Sequence, residues 1–183
     1  MKKLVFLMSV LIVEMVTANL FAQETMFQYI GVKKCKMCHK GEKKGKIFEK
    51  WQSLKHSKAY ATLATDAAKK IATEKGVKGA PQQAAECLVC HVTGYSATAD
   101  QKAATLTMEE GVSCEACHGP GSKYKSLKVM KGITAGTNKG AEFGLVEPGE
   151  KVCKTCHNPK SPTYKEFKFA ESVKKIAHPL PKK

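Results

Sequence analysis

Cys35-Lys36-Met37-Cys38-His39, Cys87-Leu88-Val89-Cys90-His91, Cys114-Glu115-Ala116-Cys117-His118 and Cys153-Lys154-Thr155-Cys156-His157 contain every cysteine of the chain. Each pair has two residues between its thiols and is followed at once by histidine. With 6 His in 183 positions, chance would put histidine at all four places about once in a million. Attachment of a c-type haem requires this arrangement. The two thiols add across the vinyl groups as thioethers, and the histidine becomes the proximal iron ligand. Zinc ribbons pair their cysteines but have no reason to place histidine after every pair. Redox-active Cys-x-x-Cys motifs want a thioredoxin-like strand-to-helix setting that is not visible here, and disulfides would leave the four histidines unexplained. Four covalent haems c are therefore expected. Cys35, Cys38, Cys87, Cys90, Cys114, Cys117, Cys153 and Cys156 would attach them, and His39, His91, His118 and His157 would be the proximal ligands.

The composition agrees. The chain has 183 residues, only 7% of them aromatic, which is one domain with a thin apolar core for its length. Four flat apolar macrocycles would supply the missing core. The expected fold is mainly α, a compact multihaem c-type cytochrome with stacked haems as its core and little or no β-structure.

Met1-Lys2-Lys3 followed by the apolar run Leu4–Val13 reads as a secretory signal, with cleavage after Ala22. The domain reading is then a signal peptide over 1–22 and a single tetrahaem domain over 23–183. Glu14 and the short apolar run argue against a permanent membrane anchor. Export to the periplasm or the extracellular space suits haem c, which is attached outside the membrane.

The formal charge is +15, and removing Lys2, Lys3 and Glu14 with the leader makes it +14. Eight propionates and four ferric centres bring the loaded protein to about +10. Such a surface fits redox partner proteins with acidic docking faces, and leaves room for weak association with a membrane surface and for self-association. Nucleic acid is a poor candidate, since export removes the opportunity and no binding motif is present.

Along the chain, the apolar spacing of Ile47, Trp51 and Leu54 and the recurring alanines predict one long helix from about Gly45 to Glu74. Residues 132–149, with Gly132, Gly136, Gly140 and Gly144, read as loop. A last amphipathic segment runs from about Ser161 to Ala177. The proximal histidines are 52, 27 and 39 residues apart, which argues against a simple tandem repeat. The short second gap predicts that the second and third haems are close.

Four proximal ligands leave only His56 and His178 as further histidines. Both are candidate distal ligands. At least two irons must then use another ligand or none. Met130 is the candidate thioether ligand and Lys128 a weaker one, because its amine must first lose a proton.

The stretch Trp51-Gln52-Ser53-Leu54-Lys55-His56-Ser57-Lys58-Ala59 after the first motif resembles the tetrahaem cytochrome c-554 family of nitrifying bacteria. So do Glu86-Cys87-Leu88-Val89-Cys90-His91-Val92-Thr93-Gly94-Tyr95 and Gly111-Val112-Ser113-Cys114-Glu115-Ala116-Cys117-His118-Gly119-Pro120-Gly121, and Phe167-Lys168-Phe169 ahead of His178. The likeness spans roughly 33–178. It implies an exported electron carrier with one five-coordinate haem and with His56 and His178 as distal ligands. One function in that family is to take electrons from hydroxylamine oxidation. The family has a further distal histidine shortly after the third motif, where this chain reads Lys125-Ser126-Leu127-Lys128-Val129-Met130.

The leading expectation is an electron-transfer protein carrying single electrons through four covalent haems. The alternatives are a redox enzyme for nitric oxide or a hydroxylamine-type ligand at an open haem iron, and a subunit of an extracellular haem filament. No acid–base pair stands out in the sequence to favour the enzyme.

Overall fold

The computed structural model describes residues 26–179, so the leader expected over 1–22 lies outside the described residues. Within them the chain folds into nine short α-helices joined by 3-10 turns. These are α1 (Val32–His39), α2 (Ile47–Ser53), α3 (Ala59–Thr62), α4 (Asp66–Glu74), α5 (Ala85–His91), α6 (Cys114–His118), α7 (Leu127–Thr134), α8 (Glu150–Lys154) and α9 (Phe169–Ile176). The only β-pairing among the described residues is an isolated bridge between Tyr29 and Lys102. No helix among them is long and apolar enough to cross a membrane.

Each haem motif is a turn of helix, because only a helix brings residues three and four apart onto one face. In α1, α5 and α6 the motif histidine is the last helical residue. In the fourth motif α8 stops at Lys154, but the His157 N–H still donates to the Cys153 carbonyl at 2.9 Å, which preserves the helical turn. Gly119 ends α6 at φ +75°, where a Cβ would lie 2.5 Å from the Gly144 carbonyl oxygen. Only glycine tolerates both that conformation and that approach.

The apolar core of side chains is small. Leu63, Leu88 and Val92 pack together, with Tyr60, Cys87 and Tyr95 against them. The other buried apolar side chains among the described residues are Ile30, Val32, Phe48, Ala72 and Ala84. So few cannot by themselves hold a domain of this length together.

The helix expected over 45–74 is broken into α2, a 3-10 turn at Lys55–Lys58, α3 and α4. Two causes are visible. Leu54 is extended (φ −85°, ψ 158°), and the Ser57 hydroxyl donates to the Gln52 and Leu54 carbonyls, competing with the helical ladder. The His56 carbonyl is also captured from outside by the Val112 N–H at 3.0 Å. Thr65 then restarts the chain as the N-cap of α4, its hydroxyl accepting from the Ala68 N–H. Gly132, read as loop, lies inside α7, whose Leu127, Met130 and Ile133 share a face and whose N-terminus is capped by Ser126. The last amphipathic segment is helical only over α9.

Candidate haem centres

Two buried carboxylates fix the first motif against the third. Glu115, an intervening residue of the third motif, is 1% exposed. Its two oxygens accept from the backbone N–H groups of Ile30, Gly31 and Gly121 at 2.6–3.0 Å. Glu110 accepts from the Val32 N–H at 2.6 Å and from the Ser113 hydroxyl at 3.2 Å. The donors Ile30, Gly31 and Val32 lie at the start of α1, where helical geometry leaves N–H groups without partners. The third motif therefore supplies what the first motif's helix lacks. Burial holds both carboxyls above their ordinary values, while the N–H groups pull them back.

The second and third motifs are also stitched together, in keeping with the short gap between them. Thr93, 2% exposed, takes the Gly111 carbonyl with both its N–H and its hydroxyl at 2.9 Å. Its hydroxyl accepts from the Ser113 N–H at 2.7 Å.

The thiols fall into a definite order. As free thiols, Cys35 of the first motif and Cys114 of the third are neighbours, which pushes the first up and the second down in pKa. Cys90 of the second motif meets Cys156 of the fourth and is pushed up to about 11, by burial first and then by Cys156. Cys117 is likewise pushed up to about 11 by burial, with Cys153, Cys114 and Cys156 adding to it. The motifs thus pair as first with third and second with fourth, and the third adjoins the fourth. Among the described residues no cluster of three or more His, Cys, Asp or Glu side chains could hold a metal ion.

The histidines pair across the motifs. The ring centre of His56 lies 6.0 Å from that of His157, with the planes at 82°. His178 lies 5.9 Å from His118, with the planes at 46°. A metal–imidazole bond of about 2 Å and about 1 Å more from nitrogen to ring centre put two axial imidazoles on one metal roughly 6 Å apart. Both pairs have that spacing. Burial first, and then His157, holds His56 below the ordinary imidazole value. Its ring is neutral at neutral pH and keeps a lone pair for a metal. Burial and then His178 do the same for His118.

Further groups set the motif rings. The Phe167 ring stacks on His157, with centres 4.8 Å apart and planes at 15°. His91 Nδ1 lies 2.8 Å from the Ala59 carbonyl oxygen, the contact that fixes tautomer and orientation in a metal-binding histidine. His39 Nδ1 is buried with no partner. Trp51 donates from Nε1 to the Val112 carbonyl at 2.9 Å, tying α2 to the segment that also captures His56. Gly111 lies against that same turn. At φ +64°, a Cβ on it would sit 2.8 Å from the His56 carbonyl oxygen.

The structure places Met130 half-buried on α7 and Lys128 exposed on the same helix. Sequence reading missed Glu115, Glu110, Thr93 and the Ala59 carbonyl. A backbone carbonyl leaves no mark in a sequence, and two glutamates among 16 acidic residues carry no sign of burial. Phe167 falls in the amphipathic segment expected from about Ser161 to Ala177, where nothing in the sequence links it to His157.

These residues fit haem. Eight cysteines stand in four helical pairs, histidines face each other across a one-metal gap, and the interior is short of apolar side chains. The comparisons agree. The family described as cytochrome c554 and c-prime matches residues 34–119, which contain the first three motifs. Cytochrome c-554 of Nitrosomonas europaea is 29% identical over 140 residues, which cover 69% of this chain and 56% of that protein. The chain thus spans little more than half the length of that relative. The reduced-state structure of cytochrome c554 from Nitrosomonas europaea matches with a TM-score of 0.58 and 26% identity, over 83% of this chain and 85% of that one. The motif set, the helical fold and the shared sequence make this chain a tetrahaem c-type cytochrome that is similar to cytochrome c-554.

Proposed function

We propose that the chain is an exported electron carrier that exchanges single electrons with other redox proteins. The observation that carries this reading is the contiguity of the motifs: Cys35 meets Cys114, Cys90 meets Cys156, and Cys117 adjoins Cys153 and Cys156. Bound haem supplies reversible one-electron chemistry at iron, tuned by axial ligand, burial and nearby charge. The chain's own part is to hold ligands still. His157 and His118 would hold two of the haem irons, and His56 and His178, whose rings lie about 6 Å from theirs, would supply the second ligand of each. Phe167 keeps the His157 ring from rotating. Two fixed imidazoles change little between oxidation states, which keeps reorganisation small. The lysine-rich surface of a +15 chain favours partners with acidic docking faces, in the periplasm or outside the cell. A small-ligand redox enzyme is the second reading. It is favoured by one observation, that two motif histidines have no histidine ring opposite.

The test of the carrier is stopped-flow reduction and reoxidation with a small one-electron reagent. All four haems should equilibrate within the mixing experiment, and a haem isolated on the minutes scale would defeat the connected array. For the axial roles, His56→Met should raise the potential of one haem, because a thioether favours ferrous iron relative to imidazole. An unchanged redox titration would remove His56 from the site.

A further inference from the structure

His39 and His91 are the two motif histidines left over when rings are paired. The chain has six histidines, all among the described residues, and the two outside the motifs face His157 and His118. His178 also lies near enough to His39 to depress its pKa, after burial. It cannot serve both centres, because a neutral imidazole has one nitrogen lone pair to give and carries a proton on its other nitrogen. While His178 completes the centre of His118, the centre of His39 has no second histidine within the chain.

The two left-over rings are not equivalent. His91 donates an Nδ1–H hydrogen bond to the Ala59 carbonyl at 2.8 Å, which raises the basicity of the other nitrogen and stiffens its bond to a metal. His39 Nδ1 is buried and has no acceptor. Its imidazole is the poorer donor and lacks the hydrogen bond that fixes the orientation of His91.

We propose that the iron held by His39 is a second small-ligand site, distinct from the one held by His91, and that it takes neutral diatomic π-acceptors such as carbon monoxide on a weaker proximal bond. This rests on the axial pairing of His56 and His178 proposed above. No proton or electron is exchanged in the step; the ligand's lone pair forms one bond to ferrous iron.

The experiment is titration of the fully reduced, haem-loaded protein with carbon monoxide, followed by resonance Raman spectroscopy of the ligand-free ferrous form. Two molecules bound per chain and two iron–histidine stretching bands are expected. The lower-frequency band should belong to His39 and vanish alone in His39→Met. One molecule per chain would overturn the proposal, and a count that rises to two in Met130→Ala would identify Met130 as the ligand that closes the site. A single band, or loss of the higher band in His39→Met, would overturn the inequality of the two irons. His56→Ala separates the proposal from the reading beneath it, since it should raise the count to three. A count of three already in the unsubstituted protein would defeat the axial pairing, whereas a count of one with His56→Ala at two would defeat only the His39 site.

Discussion

Replacing Glu115 by alanine should be among the most damaging single changes outside the haem ligands. The carboxylate is 1% exposed and is the acceptor for three backbone donors, Ile30, Gly31 and Gly121. A buried donor stripped of its partner costs about 1–3 kcal/mol, and relief from burying the carboxylate offsets part of the sum, so the net loss should be about 3–5 kcal/mol. Glu115→Gln keeps one acceptor oxygen, which can still serve Ile30 and Gly121, but it turns an amide N–H toward Gly31, so about 1–3 kcal/mol is expected. The assay is urea unfolding of the haem-loaded protein followed by far-UV circular dichroism. With a slope of about 2 kcal/mol per M, the alanine variant should lose roughly 2 M in midpoint, with the slope unchanged. The pH dependence adds a second readout. Burial raises the Glu115 carboxyl in the folded state, so the folded protein holds that proton more tightly than the unfolded chain does. The stability tied to this group is full below the ordinary carboxyl value of about 4.3 and declines as pH rises through the higher folded value. The advantage of the native protein over Glu115→Gln should therefore narrow across that window. Equal midpoints for the native protein and both variants would refute the account of Glu115 as the acceptor that seats α1.

Gly111→Ala should cost about 1–3 kcal/mol for the backbone alone, and by pushing on the His56 carbonyl it should add a high-spin ferric signal in electron paramagnetic resonance. A stable variant with native low-spin signals would show that His56 does not depend on this approach. Electron transfer to an acidic partner should slow steeply as the screening length falls from about 30 Å at 0.01 M salt to about 8 Å at 0.15 M. Rates flat in salt would make the lysine coat a matter of solubility. Intact mass of the haem-loaded protein should exceed that of its polypeptide by four haem masses, and a mass lacking them would contradict covalent attachment.

Much of the cofactor chemistry was legible because it is local. A Cys-x-x-Cys-His turn needs nothing from the rest of the chain to be recognised, and the helical face it requires follows from its spacing. The count of histidines is local in the same sense, and it sets the expectation that at least two centres want for a second imidazole. What could not be read is which motif meets which. The pairing of Cys35 with Cys114 and of Cys90 with Cys156 depends on hydrogen bonds such as Glu115 to Ile30, whose partners are 85 residues apart. The long helix read over 45–74 failed for a related reason. Its local periodicity is sound, but the Val112 N–H takes the His56 carbonyl, and a contact made from 56 residues away overrides propensity. Gly132 shows the reverse case, where a shared apolar face kept a helix through a residue read as a breaker.

The crosswise order of the motifs limits how such a chain can be divided. A break anywhere between His91 and Cys114 leaves two motifs on each side, yet parts the first from the third and the second from the fourth. It also strands the first motif's helix from Glu110 or Glu115, and His56 from His157. The two halves would not fare alike: the C-terminal one keeps the third motif beside the fourth and His178 beside His118, whereas the N-terminal one keeps neither partner of its two motifs. A shorter descendant built on this plan could therefore come from the C-terminal half but not from the N-terminal one.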